Sequence, residues 1–279
     1  MKKYVQEATD ENIWTSIKNN TFGRNKDIKD FIDGLELIDE SACISLDAKW
    51  GDGKTFFVRQ IEEVLKYVLA NQRADEENPI EKLPSYEYLK DNEMMAKIDL
   101  KHSYLPIYYN AWMYDNHSDP LMSLLLVMTK TCRGVYDTKI DSEKISKKLV
   151  EALATLPISL GEFKANPFTA IEKLQGKSMD ILSLVQTEEE IRERVKGIFN
   201  DIIVERAQKL VIFIDELDRC RPSFAIEMLE RIKHYFDDER VIFVVSLNKE
   251  QLIHTITNYY GSGFDATRYL NKFFDVNIN

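Results

Sequence analysis

No apolar run in this chain approaches the ~18–20 residues that a membrane-spanning helix needs. The longest, at 121–128 (LMSLLLVM), reads as the buried face of a helix. The N-terminus, MKKYVQEATDEN, carries two lysines but no apolar core behind them, so no signal peptide is expected there. Cysteine is scarce. Cys43, Cys132 and Cys220 form no close pair, so they read as reduced thiols of a cytoplasmic protein. The four histidines, His102, His117, His234 and His254, have no metal-ligand spacing with each other or with cysteine, which argues against a zinc site. An excess of basic residues is missing too. The net charge of −10 argues against this chain gripping DNA or RNA through a broad basic face, although it leaves room for a local basic groove.

What is present is an ordinary globular composition, 44% hydrophobic and 30% charged over 279 residues. That length suits one large α/β domain or two small ones. The stretch that organises the chain is Ser45-Leu46-Asp47-Ala48-Lys49-Trp50-Gly51-Asp52-Gly53-Lys54-Thr55. It follows the apolar, strand-like residues Ala42, Cys43 and Ile44. It opens a helical run through Phe57, Ile61, Val64, Leu65 and Val68. Strand, glycine loop, Lys-Thr and helix is the layout of the phosphate-cradling motif G-x-x-x-x-G-K-[ST], here with Ala48 at the first glycine position. Cradling an anion requires successive backbone N–H groups to point inward, at angles that glycine adopts cheaply. The positive end of the following helix adds to the attraction. Residues Trp50 to Phe56 form the cradle. The Lys54 ammonium can reach the β- and γ-phosphates, and the Thr55 hydroxyl can ligate Mg²⁺. A chance glycine-rich turn before a helix is the competing explanation.

The second landmark is Lys209-Leu210-Val211-Ile212-Phe213-Ile214-Asp215-Glu216-Leu217-Asp218-Arg219-Cys220-Arg221-Pro222. Its continuous apolar run suits a central strand of a parallel sheet covered on both faces. In mononucleotide folds the ligand sits at the carboxyl ends of the strands. Asp215 at such an end can hold the Mg²⁺ shared with Thr55, and Glu216 can accept a proton from attacking water. The two acids could also merely cap the next turn, but together with the glycine loop they make one mechanism. Asp218 is a rival base or a partner for Arg219. Asn248, after the apolar run 241–247, either orients the attacking water or N-caps the next helix. Gly23 and Arg24 either border the adenine or form a simple turn. Trp50 and Trp112 read as packing residues before base-stacking ones. Arg219, Arg221, Arg231 and Arg268 are candidates for a finger supplied to a neighbour, though each suits a surface salt bridge better.

Between the landmarks the pattern alternates strand and helix, which predicts a parallel, doubly wound α/β sheet. Residues 1–20 are polar and form a loose arm or a short helix. A Gly-Arg turn then feeds an amphipathic helix over Ile28, Phe31, Ile32, Leu35 and Ile38. The stretch 72–102 is a charged surface excursion with a short helix around 85–97. A strand at 104–110 ends in Asn110-Ala111-Trp112. Asp119-Pro120 starts a helix. Further helices are expected at 142–155 and after the capping box at Thr187, and after Pro222 and Asn248. The span between Thr55 and Asp215 is too long for two crossovers alone. The expected organisation is therefore an N-terminal arm (1–21), a nucleotide-binding domain (22–112 and 209–279) and a helical insertion (113–208).

These pieces together resemble the KAP family of P-loop NTPases. The likeness rests on Trp50-Gly51-Asp52-Gly53-Lys54-Thr55, on Asn110-Ala111-Trp112-Met113-Tyr114, on Ile214 through Pro222, and on Tyr269-Leu270-Asn271-Lys272-Phe273. It covers roughly residues 22–275. It implies a three-layer α/β/α domain of the additional-strand (ASCE) type with a helical insertion, binding ATP with Mg²⁺ and hydrolysing it as a conformational or assembly switch. A nucleotide-gated interaction module with little turnover is the alternative. Glu216 stands where the family often has Asp, which favours hydrolysis. The resemblance further implies protein partners at the insertion and a nucleotide-dependent homo-oligomer. Many family members carry membrane helices in that insertion; no span is expected here. Bacterial members often act with other gene products, including in defence against phage. The sequence ends as a fifth strand begins, so a helical lid over the nucleotide is not expected within it.

Overall fold

A computed structural model describes residues 7–75, 79–117, 119–134, 193, 195–197, 200, 207–236 and 238–279. The expected helices at 142–155 and after Thr187 lie largely or wholly outside the described residues, as does most of the insertion.

Five strands form one sheet: β1 (Ala42–Asp47), β2 (Tyr104–Asn110), β3 (Lys209–Asp215), β4 (Val241–Leu247) and β5 (Val276–Ile278). Their order is β2-β3-β4-β1-β5, and every pairing is parallel. Thus β4 lies between the glycine-loop strand β1 and the acidic strand β3. All seven residues of β3 and all seven of β4 are buried, as expected for inner strands with both faces covered.

The pleat sends alternate residues to opposite layers. Leu210, Ile212 and Ile214 of β3, with Val241, Phe243 and Val245 of β4, face one core. Val211, Phe213, Ile242 and Val244 face the other. The second core is covered by α1 (Asp10–Lys18), α2 (Asn25–Leu35) and α3 (Lys54–Gln72), with the short helix α4 (Tyr86–Leu89) at its edge. The first is covered by α5 (Pro120–Gly134), α6 (Pro222–Tyr235), α7 (Lys249–Tyr260) and α8 (Ala266–Leu270).

Three local expectations change. The N-terminal residues do form a short helix, but α1 is docked rather than loose, with Ile13 and Ile17 fully buried. The segment 85–97 is not one helix. It makes two separate turns, 86–89 and 95–97, because Asn92 breaks the run. The Asn92 side chain donates to the Ile17 carbonyl at 2.8 Å and accepts from the Met94 amide at 2.9 Å. Finally, the helix begun by Pro120 was assigned to the insertion, yet it lies against the sheet. Leu121, Leu124, Leu125 and Met128 are fully buried in the first core, and Tyr109 on β2 bonds Ser123 at 2.7 Å.

Candidate nucleotide site

The loop between β1 and α3 is shaped by its two glycines. Gly51 and Gly53 adopt φ +96° and +84°, a region that residues with a Cβ enter at a cost. At Gly53 there is a second constraint: a Cβ would sit 3.1 Å from Arg24 Nη1. Arg24 comes that close because its guanidinium donates to the Asp52 carbonyl at 2.9 Å and the Gly53 carbonyl at 3.3 Å. The Lys49 amide donates to Asp52 Oδ2 at 3.0 Å. Lys54 Nζ donates to the carbonyls of Ala48 and Lys49. The loop is therefore a closed turn with its lysine folded over it, and the first turn of α3 opens toward the cleft.

The acidic strand ends beside this loop. Asp215 is 1% exposed. Its Oδ2 accepts from the Tyr108 hydroxyl at 3.0 Å, and its Oδ1 accepts from the Glu216 amide at 2.9 Å. Burial, then the Asp215 charge and this bond, push the Tyr108 hydroxyl well above the usual tyrosine range, so it stays a donor. Glu216 has φ +61°, a left-handed conformation that is uncommon for a residue with a side chain and costs of order 1–3 kcal/mol. Both of its oxygens are engaged: Asn110 Nδ2 donates to Oε2 at 3.1 Å, and Arg219 Nη1 lies 2.9 Å from Oε1.

Lys49, Trp50, Gly51, Asp52, Gly53, Lys54, Thr55, Phe56, Asp215, Glu216 and Asp218 line one cleft of about 580 Å³, together with Arg24 and Arg219. That volume lies within the usual range for small-ligand sites. So the two landmarks meet. The donor set fits a hydrated Mg²⁺ carried by a nucleotide. Such an ion takes one or two protein oxygens and the rest from phosphate and water, and Thr55 and Asp215 supply a hydroxyl and a carboxylate to the same cleft. Among the described residues no three His, Cys, Asp or Glu side chains converge as a self-sufficient metal site.

A match to the description "KAP family P-loop domain" spans residues 24–279. The chain belongs to the KAP family. It is also similar to an uncharacterised protein of Methanocaldococcus jannaschii, at 26% identity over 173 residues, covering 51% of this chain and 89% of that protein. No helix among the described residues of this KAP domain is long and apolar enough to cross a membrane.

The KAP signature residues also occupy places that local sequence did not disclose. Asp218 was weighed as a partner of Arg219, but it accepts instead from Trp50 Nε1, while Arg219 goes to Glu216. Trp50 and Trp112 are not packed inside; they are 55% and 52% exposed, and the Arg219 guanidinium lies 5.7 Å from the Trp112 ring centre. Asn248 caps α7, accepting from the Gln251 amide at 3.1 Å. Gly23 sits in a turn with φ +70° beside Phe22 at φ +65°; Phe22 is an exposed wall of the cleft. Among the finger candidates, Arg231 pairs with Asp119 at 2.9 Å and Arg221 donates to the Asp115 carbonyl. Tyr108 and Asn110 went unassigned by sequence, although Asn110 lay inside a recognised motif. The signal was positional: both lie in the last three residues of the strand next to the acidic one, and Asn110 pairs in register with Asp215.

Proposed function

We propose that this KAP domain binds Mg-ATP in the cleft between the glycine loop and the acidic strand and hydrolyses it as a slow switch. The observation that carries the reading is that Lys54, Thr55, Asp215 and Glu216 line the same cleft. Lys54 would leave the Ala48 and Lys49 carbonyls for the β- and γ-phosphates. Thr55 and Asp215 would hold the Mg²⁺, which neutralises charge on the phosphates. Glu216 would take the proton of the attacking water. Asp218 would act through Trp50, holding the loop against the acidic strand. Asn248 would reach the water only by giving up its cap. Arg24 would set the loop's edge on the base side, with Gly23 giving the turn that brings it there.

One observation favours the alternative of a nucleotide-gated module with little turnover: Asn110 and Arg219 occupy both oxygens of Glu216, so the base is not free in this conformation. Burial of the thiols of Cys43 and Cys220 supports a reducing, cytoplasmic setting. The process driven belongs to the family's association with multi-protein systems, phage defence among them. Protein partners would meet the segment between α5 and β3, and assembly would follow the nucleotide. Lys54→Ala is expected to abolish binding of a fluorescent ATP analogue in an anisotropy titration. Unchanged affinity would remove the glycine loop from the site.

A further inference from the structure

The family match begins at residue 24, yet the segment before it is built into the site. Glu7, Ala8 and Phe22 line the nucleotide cleft directly. A second connection runs from the buried end of the acidic strand outward to α1, where Asp10 is exposed. From Asp215 Oδ2 the path goes to the Tyr108 hydroxyl at 3.0 Å. The Tyr108 ring lies 4.7 Å from the Arg59 guanidinium carbon, within cation–π range. Arg59 sits on α3 with its side chain 17% exposed, and it pairs with Glu62 and with Asp10 of α1, the latter at 2.8 Å. Lys66 then bridges Glu62 at 2.7 Å and Glu63 at 2.8 Å. Glu63 Oε2 accepts from Trp14 Nε1 of α1 at 2.6 Å, and Gln60 donates to Ser16 at 2.8 Å.

We infer that Tyr108 is a positioning residue for the metal-ligating carboxylate of Asp215, and that through Arg59 it ties α1 to the state of the nucleotide site. The inference rests on the Mg-nucleotide reading above. Its physical basis is that a ligating carboxylate is held by its own hydrogen bonds, so that one oxygen is aimed at the ion. A shift of Asp215 on metal binding moves the Tyr108 hydroxyl. The Tyr108 ring lies against the Arg59 guanidinium, and Arg59 holds the first turn of α1 by Asp10. The element that responds, α1, precedes the residues matched to the family, and it would present the nucleotide state at the N-terminal face.

Two measurements on the full chain test this. In the first, affinity for the β,γ-imido analogue of ATP is titrated against Mg²⁺ and also measured in EDTA, for wild type and Tyr108→Phe. The variant keeps the ring beneath Arg59 and loses only the hydroxyl. Its Mg²⁺ half-saturation is expected to rise about tenfold, the usual scale for losing a group that holds a ligand, with affinity in EDTA unchanged. In the second, hydrogen–deuterium exchange is followed at the α1 amides. Adding Mg²⁺ with the analogue is expected to slow exchange there in wild type and not in Tyr108→Phe. Wild-type binding with α1 exchange unaltered, or an unchanged Mg²⁺ half-saturation in the variant, would overturn the inference alone. Absence of nucleotide binding by the wild type would overturn the reading beneath it as well.

Discussion

At the scale of single residues the site is held by contacts across large sequence separations. Gly53 is the clearest case. Its positive φ and the Arg24 guanidinium 3.1 Å from a would-be Cβ act together. Gly53→Ala should therefore destabilise the fold by about 1–2 kcal/mol, the cost of placing a Cβ in the left-handed region, and should loosen the Arg24 contact. A shift of the urea midpoint at unchanged slope is the measurement. Asn110 makes a different prediction. If it withholds Glu216, Asn110→Ala should raise the rate of phosphate release with little change in nucleotide affinity, read in a steady-state assay. A fall in rate would instead make Asn110 an aid to the base. Sequence singled out Lys54, Thr55, Asp215 and Glu216 as candidates because their motifs are local, and the fold brings them to one cleft. It did not disclose Arg24 on the loop, Trp50 with Asp218, or Tyr108 with Asp215, since each pair joins different elements and no spacing encodes it.

At the scale of elements, periodicity placed the strands and helices of the sheet well, because apolar spacing reports burial directly. It failed where burial depended on a neighbour. The mostly polar arm became α1 because only Ile13 and Ile17 need cover, and polar bonds to Arg59, Gln60 and Asn92 supply the rest. The stretch 121–128 was read as buried, but its partner was not legible; it is the sheet itself. The turn from α6 into β4 is also set by side chains. Arg240 donates to Asp238 through its backbone amide at 3.0 Å and its guanidinium at 2.8 and 2.6 Å. The guanidinium bond chiefly, against partial burial, holds the Asp238 carboxyl below its ordinary value. A depressed carboxyl stabilises the fold above its unfolded pKa, and that contribution is lost as pH falls through the folded value. Thermal melts of wild type should therefore lose stability from about pH 4 downward, and part of that loss should be missing in Asp238→Asn.

At the scale of the whole molecule, the strand order brings the two motifs into one site. With β4 between β1 and β3, the glycine loop and the acidic turn emerge at the same end of the sheet, one strand apart. One pattern in the sequence that pointed there was the pair of apolar runs at 210–214 and 241–245, which suit strands covered on both faces. In a chain of net charge −10, the Lys54 side chain and the amino end of α3 make a local place where an anion is welcome. On the proposed reading, this end of the sheet is one Mg-ATP hydrolysis site. Single-turnover chemistry on radiolabelled ATP tests it most directly, with wild type and Glu216→Gln compared at equal protein concentration in Mg²⁺. Wild type is expected to release phosphate slowly, while Glu216→Gln binds ATP and retains it uncleaved. Equal cleavage by the two proteins would contradict Glu216 as the base, and failure of both to retain ATP would contradict the site itself.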